Sequence, residues 1–340
     1  MVNLKDLTLS ELENFIKEEG EPPFRAKQIY TWLYKGIESF EEMTNIPKSL
    51  ISKLKEKSFI SVPEIRTKYI SKDGTVKYVW QLSDGELIES VVMEYKHGRS
   101  ICISTQVGCN MGCKFCASTV GGKRRDLSAG EILDQIMFAE KDLGIRISNV
   151  VMMGIGEPLD NYDNVIKFLK NVGNPDGLNI GYRHISLSTC GLADKILKLA
   201  QEKMPVTLSL SLHAPTDELR QSIMPVNKKY KISDVISACR EYIKVTGRRV
   251  SFEYTLIQGV NDSVAHANKL CDIIKGMQCH VNLIPVNEAR ENMVRSGKEN
   301  VKKFLNILTG RGVNATVRRQ LGSDIKASCG QLVAKERDKK

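Results

Sequence analysis

The chain has 340 residues, 41% of them hydrophobic, with 50 Lys and Arg against 40 Asp and Glu for a formal charge of +10. That length carries one large domain and a smaller one, and the basic excess fits a polyanion partner such as RNA. No apolar run reaches membrane-spanning length, and the N-terminal MVNLKDLTLSELENF lacks the apolar centre of a secretory leader, so no membrane partner and a cytoplasmic location are expected.

Residues 1–62 read as a small helical domain. Leu9, Leu12, Phe15 and Ile16 have helical spacing, Pro22-Pro23 breaks that helix, and a second stretch runs from Phe24 to Ile37. Pro47 opens a third, with Leu50, Ile51 and Leu54. Arg25, Lys27 and Lys35 fall on the polar side, which makes this domain the expected grip on RNA. Residues 63–98 change character: Lys72-Asp73-Gly74 and Ser83-Asp84-Gly85 are turn signals between runs rich in Val, Ile and Tyr, a short antiparallel β extension.

From residue 99 to 340 the pattern alternates. Strands are expected at Ile101–Thr105, Val150–Met153, His184–Thr189, Val206–Leu212, Val250–Ile257, Val281–Val286 and Ala315–Arg319, with helical stretches between most of them. This rhythm argues for an α/β fold with a parallel sheet, and the absence of an early Gly-x-Gly-x-x-Gly turn favours a complete or partial barrel.

Nine cysteines is a high, odd number for a chain of this kind, and three lie within eight residues. Cys109-Asn-Met-Gly-Cys113-Lys-Phe-Cys116 has the spacing C-x3-C-x2-C and directly follows the first strand of the alternating region, at the mouth of a barrel. Thiolates suit iron–sulfur clusters and zinc. A structural zinc site takes four protein ligands, so three close cysteines favour a four-iron cluster with one iron open, while zinc with a distant fourth ligand stays as the alternative.

The motif resembles the radical S-adenosylmethionine superfamily. Gln106–Ala117, Met153-Gly-Ile-Gly-Glu-Pro-Leu159, Ser209-Leu-Ser-Leu-His213, Ala327-Ser-Cys-Gly-Gln-Leu332 and Glu21–Ile29 together resemble the bacterial RNA methyltransferases that act on C2 of adenine in 23S rRNA and certain tRNAs. The resemblance implies a partial (βα)6-type barrel, a [4Fe–4S] cluster on Cys109, Cys113 and Cys116, and two S-adenosylmethionine molecules per turnover. Gly156, Glu157, Ser188, Ser211, Leu212, His213 and Asn287 match its cofactor-binding positions. Most of these stand at the C-terminal ends of expected strands, facing the cysteine loop, although singly a serine there is an ordinary turn residue and His213 an ordinary structural histidine.

Three further residues take roles from the resemblance. Cys329 is methylated by the first S-adenosylmethionine; a 5′-deoxyadenosyl radical from the second removes hydrogen from that methyl group, and the carbon radical adds to C2. Cys102 then releases the product as a Cys102–Cys329 disulfide, by thiol chemistry suited to such a pair. Glu89, sharing a strand face with Leu87 and Val91, takes the C2 proton. A buried strand cysteine and a solvent-facing glutamate are the plainer readings of Cys102 and Glu89. The resemblance further implies an electron donor such as flavodoxin or ferredoxin, and a monomer is expected. Two rivals stand beside this reading: a methyltransferase that acts on C8 of the same adenine, and a non-catalytic iron–sulfur protein that binds RNA.

Overall fold

In the computed structural model, residues 1–96, 98–287 and 293–332 are described. The β-branched runs from Glu64 onward pair into one sheet of ten strands: β1 (Glu64–Ile70), β2 (Val76–Gln81), β3 (Leu87–Tyr95), β4 (Gly98–Cys102), β5 (Asn149–Met152), β6 (Ile185–Thr189), β7 (Thr207–Ser211), β8 (Val250–Leu256), β9 (Cys279–Pro285) and β10 (Ala315–Val317). Their order in the sheet is their order in the chain. Strands β1 to β4 form an antiparallel meander, and β4 to β10 are parallel. The expected extension at 63–98 is therefore continuous with the barrel sheet: Cys102 on β4 lies opposite Val91 on one side and Val151 on the other.

Strand β4 is shifted from the expected Ile101–Thr105. Past Cys102 the backbone leaves the ladder, and both Thr105 N and Gln106 N donate to Ile155 O in the next βα loop. Between the parallel strands run α4 (Ala129–Leu143), α5 (Tyr162–Val172), α6 (Ala193–Gln201), α8 (Ile232–Thr246), α9 (Val264–Ile273) and α10 (Lys298–Gly310), with a short α7 (Asp217–Ile223) that the sequence pattern did not signal. Period-two alternation sorts each strand into two faces. Val150, Leu187, Leu210, Phe252 and Leu283 point toward the helices and share one core cluster with Ile132, Ile136 and Phe168. Their neighbours Ser188, Ser211, Glu253, Thr255 and Asn282 therefore fall on the inner face.

The sheet stays open, with β1 and β10 as its edges. The chain after β10 crosses the gap. Leu321, Ala327 and Leu332 pack with Val91, Met93 and Cys102 in a separate apolar cluster. Polar ties reach the β1–β2 turn: Gly322 N donates to Asp73 at 2.9 Å and Ser71 Oγ donates to Asp324 at 2.6 Å.

Ahead of the sheet, α1 (Leu9–Glu18), α2 (Phe24–Leu33) and α3 (Lys48–Lys57) enclose their own core of Leu12, Ile16, Ile29, Leu33, Leu50 and Leu54. A capping box from Thr8 to Glu11 starts α1. The second helix stops at Leu33, short of Ile37, because the chain turns at Gly36 with φ at +71°.

Candidate active site

The cysteine loop leaves β4 through backbone that only glycine tolerates. Gly108 has φ at +78°, and a Cβ there would stand 1.8 Å from Gly122 O. Asn110 Oδ1 accepts from Lys123 N at 2.7 Å, and Lys114 N donates to Ile223 O at 2.9 Å, so the loop is tied on both sides. Cys109 and Cys113 are buried and Cys116 is half-buried. Burial pushes the Cys109 thiol up to about 12 and the Cys113 thiol higher still, with the other two thiols of the loop adding to the Cys113 shift. Thiols so disfavoured as free anions need a cation to ionise against, and an iron–sulfur cluster supplies one. Three thiols on one tied loop therefore fit that group. No three His, Cys, Asp or Glu side chains among the described residues are grouped as a single metal ion would require.

A fourth thiol lies near in space, though far in sequence. Cys190 is buried beyond β6 and interacts electrostatically with Cys113. Its thiol is hydrogen-bonded to Glu157, and its N donates to Glu157 Oε2 at 2.7 Å. Glu157 also accepts from Leu159 N at 3.1 Å. Its carboxylate is thus spent on holding the βα loop, and burial raises its pKa. Gly154 and Gly156 serve close packing: added Cβ atoms would meet the Ile103 backbone and Gln106, each at 2.6 Å. In this arrangement Gly156 offers a ligand its backbone alone.

Two adjoining cavities open at the mouth of the barrel. The inner one is lined by Phe115, Cys116, Met153, Ser188, Ser211, His213, Glu253 and Thr255. The outer one is lined by Met93, Tyr95, Arg295, Arg319, Gln320 and Leu321. Asn287, Arg318 and Cys329 line both. Of the cofactor positions expected from the sequence, Ser188, Ser211, His213 and Asn287 meet at the inner cavity. Leu212 is fully buried behind it, its N donating to Glu253 O at 3.1 Å.

His213 is held by strained backbone, with φ at +57°. Asn261 Nδ2 donates to its carbonyl at 2.7 Å, and Thr255 N donates to its Nδ1 at 2.9 Å. Its ring meets Phe115 edge-on at 4.7 Å. Burial first, and Arg220 second, push the imidazole pKa down to about 3. The ring is neutral, and the Thr255 donor leaves its proton on Nε2.

Cys329 sits in the segment that closes the sheet. Asn287 Nδ2 donates to its carbonyl at 3.0 Å, and Ala117 N donates to Gly330 O at 2.8 Å. The backbone beside Cys329 is thus pinned to the cysteine loop. Cys102 ends β4 in the apolar cluster beneath this segment. Burial pushes its thiol up to about 12, with Cys329 adding and Arg318 opposing. Glu89 is buried on β3, and the Lys77 ammonium lies 3.7 Å from its Oε1, so the solvent-facing reading does not apply.

Sequence reasoning missed the buried charges. Arg220 is fully buried and donates to carbonyls at the strand ends, Cys190 O at 2.5 Å and Leu212 O at 3.2 Å. Glu253 accepts from Asn282 Nδ2 at 2.7 Å and lies 3.8 Å from Arg318. The basic run Lys123-Arg124-Arg125 is occupied by carboxylates: Lys123 with Asp160, Arg124 with Glu86, and Arg125 with Asp84 and Glu131. Arg319 lines the outer cavity beside Arg318.

The comparisons agree with this arrangement. Residues 103–270 match the model of the radical SAM superfamily, and residues 2–60 match that of the ribosomal RNA large subunit methyltransferase N-terminal domain. A probable dual-specificity RNA methyltransferase RlmN of Clostridium botulinum (strain Alaska E43 / Type E3) is 56% identical over 334 residues, covering 98% of this chain and 96% of its own. Its counterpart in Thermoanaerobacter sp. (strain X514) is 53% identical over 335 residues, covering 98% of each chain. The crystal structure of a radical SAM methyltransferase from Sphaerobacter thermophilus superposes with a TM-score of 0.93 at 42% identity, covering 98% of this chain and 99% of that one. The cysteine loop, the open parallel sheet and near full-length identity lead to one assignment: the chain belongs to the radical S-adenosylmethionine RNA methyltransferase family, whose cofactors are a [4Fe–4S] cluster and S-adenosylmethionine.

Proposed function

We propose that this chain methylates C2 of adenosine in 23S rRNA and in certain tRNAs, with Cys329 as carrier of the methyl carbon. The observation that carries this reading is the position of Cys329 in the wall shared by two cavities. A carrier must face a methyl donor on one side and its acceptor on the other. The inner cavity has the neutral His213, Ser188, Ser211 and Asn287 as polar partners for S-adenosylmethionine. The outer cavity has Tyr95 for stacking and Arg295 and Arg319 for phosphate, the partners an unstacked RNA base needs.

Cys109, Cys113 and Cys116 would hold the cluster. When bound, the cluster and S-adenosylmethionine supply the methyl group and the one-electron chemistry that polar transfer to an electron-poor carbon lacks. The chain's own residues do the rest. Pinning of the 329–330 backbone by Asn287 and Ala117 keeps Sγ between the cavities. At release Cys102, buried below, gives up its thiol proton and attacks Cys329 Sγ; the disulfide forms as the carbon–sulfur bond breaks, the departing methylene carbon takes that proton to become the methyl group, and the unpaired electron left on the ring returns to the one-electron carrier that supplied it. Glu89 takes the C2 proton, with Lys77 steadying the carboxylate formed before transfer. The helical domain grips RNA, a small electron-transfer protein such as flavodoxin or ferredoxin supplies electrons, and the protein works as a cytoplasmic monomer. No helix among the described residues is long and apolar enough to cross a membrane.

The test is a pair of variants on an RNA hairpin. Cys329→Ala should yield neither protein-bound methyl nor methylated RNA. Cys102→Ala should accumulate RNA attached through Cys329, a slow-moving band that disappears when Cys329 is also replaced. Normal turnover by Cys102→Ala would refute the disulfide step, and a wild-type product methylated at C8 would move the chain to the rival regiochemistry.

A further inference from the structure

Arg318 is used by none of the roles above, yet it stands in the wall where the two cavities meet. Its backbone is fixed, since its N donates to Leu283 O at 2.8 Å and extends the β9–β10 ladder. Its guanidinium is anchored from the inner side. Nη1 lies 3.8 Å from Glu253 Oε2 and 3.7 Å from Met153 Sδ. Glu253 is itself buried and oriented by Asn282 at 2.7 Å and Ser251 at 3.2 Å. Among the described residues these are the hydrogen bond and the ion pair of the guanidinium, which carries five N–H donors. The side chain keeps 23% of its surface accessible, and that surface opens on the two cavities. A cation held by a buried carboxylate, with donors left over beside Cys329, is built to meet an acceptor.

The adenine C2 atom lies between two such acceptors, N1 and N3. We propose that Arg318 is a catalytic residue that donates a hydrogen bond to one of these ring nitrogens, while Glu253 and Asn282 act as positioning residues for it. The inference rests on the adenine-C2 reading of the outer cavity. A carbon radical next to sulfur is electron-rich, and it adds faster to a ring whose electron density is drawn away. In the addition the methylene carbon of Cys329 bonds to C2, one π bond of the ring opens, and the unpaired electron passes onto the ring and its nitrogens. No oxidant or reductant is consumed. Negative charge gathers on the nitrogens as the adduct forms, so a fixed cationic donor there stabilises the adduct more than the free base. The guanidinium stays protonated throughout, as arginine does in a protein, and the buried Glu253 carboxylate favours its charge.

The experiment pairs Arg318→Gln and Arg318→Lys with RNA hairpins that carry adenosine, 1-deazaadenosine or 3-deazaadenosine at the target. It uses cluster-loaded protein and measures product with the methyl position located. Removing one preorganised donor of this type costs about 100- to 1000-fold in rate. Arg318→Gln should lose about that much on adenosine, and Arg318→Lys should recover part of it. One deaza analogue should cost the wild type a similar factor and cost the Arg318 variants little more, because the contact is already gone. Binding offers a second readout in protein without cofactor: the wild type should hold the sensitive analogue about tenfold more weakly than adenosine, and Arg318→Gln should not distinguish them. Equal analogue penalties in wild type and variants would overturn the proposal, as would full activity of Arg318→Gln or a loss in Arg318→Lys equal to that in Arg318→Gln. Failure of the adenine-C2 reading is separate, since it appears as a wild-type product methylated elsewhere.

Discussion

At the scale of single residues, the site is governed by groups whose charge the fold has fixed. His213 is the sharpest case. Its pKa falls from 6.5 to about 3 because a charged ring cannot be hydrated where it lies, and Thr255 N already donates to Nδ1. In the unfolded chain the ring titrates normally. Between pH 6.5 and pH 5 the unfolded state therefore binds a proton that the folded state refuses, and stability falls as pH falls. The loss reaches about 2 kcal/mol at pH 5, from 1.5 units at 1.36 kcal/mol each. His213→Gln removes the titration. Urea unfolding of the cofactor-free protein at the two pH values should show the wild type losing about 2 kcal/mol more than the variant. Equal losses would mean that the folded ring takes up the proton. The same residue shows the limits of sequence reading. Its place at the end of a strand was legible, but its neutrality was not, because Thr255, Asn261 and Arg220 lie 42, 48 and 7 positions away.

At the scale of elements, period and punctuation carried most of the information. The parallel strands announced themselves by β-branched runs, and the cysteine spacing and its place after the first strand were visible directly. Three things were not. The end of β4 at Cys102 depends on Thr105 and Gln106 finding an acceptor at Ile155, a partner set by the fold. The buried Arg220 and Glu253 look like surface charges in a one-dimensional pattern, since only folding brings carbonyls and Asn282 around them. The tie of Cys190 to the cysteine loop is invisible in the sequence, because it reaches Cys113 across the barrel mouth. At Gly108 the closest neighbour of an added Cβ is the loop itself, at Gly122 O. Gly108→Ala should therefore force the loop open before any cofactor is considered. The clash with backbone and the left-handed φ together predict a loss of most bound iron and sulfide per chain while the far-ultraviolet spectrum stays that of the folded protein. A fully loaded Gly108→Ala protein would show that the loop adapts and that its geometry does not decide cluster binding.

At the scale of the whole molecule, the question is whether the helical domain swings free of the barrel or is part of it. The sequence reads as two bodies joined through a β extension. The structure joins them by buried polar contacts. Lys5 Nζ lies 2.6 Å from Asp134 on α4, with side-chain exposures of 1% and 2%, and also donates to Ser61 O at 2.7 Å. Gly130 N donates to Asp6 at 2.7 Å, and an added Cβ at Gly130 would strike Asn3 at 2.7 Å. Tyr30 OH donates to Asn171 on α5 at 3.4 Å. Burial is the larger influence on Asp134 and pushes its carboxyl up to about 6, against the pull of Lys5 and Ser61. A buried pair of this kind adds little net stability when intact, but losing one partner leaves a charge without compensation, at about 3–5 kcal/mol. Lys5→Met should destabilise the protein by that amount at pH 8, where Asp134 is ionised. Adding Asp134→Leu should restore most of it, because the pair is then replaced by apolar groups of similar size. Denaturant unfolding should remain a single transition in the wild type, since no part of the interface can open without exposing these groups. An early separate transition, or a Lys5→Met cost near zero, would mean that the helical domain is a tethered module and that RNA bound to it is not held in register with the outer cavity.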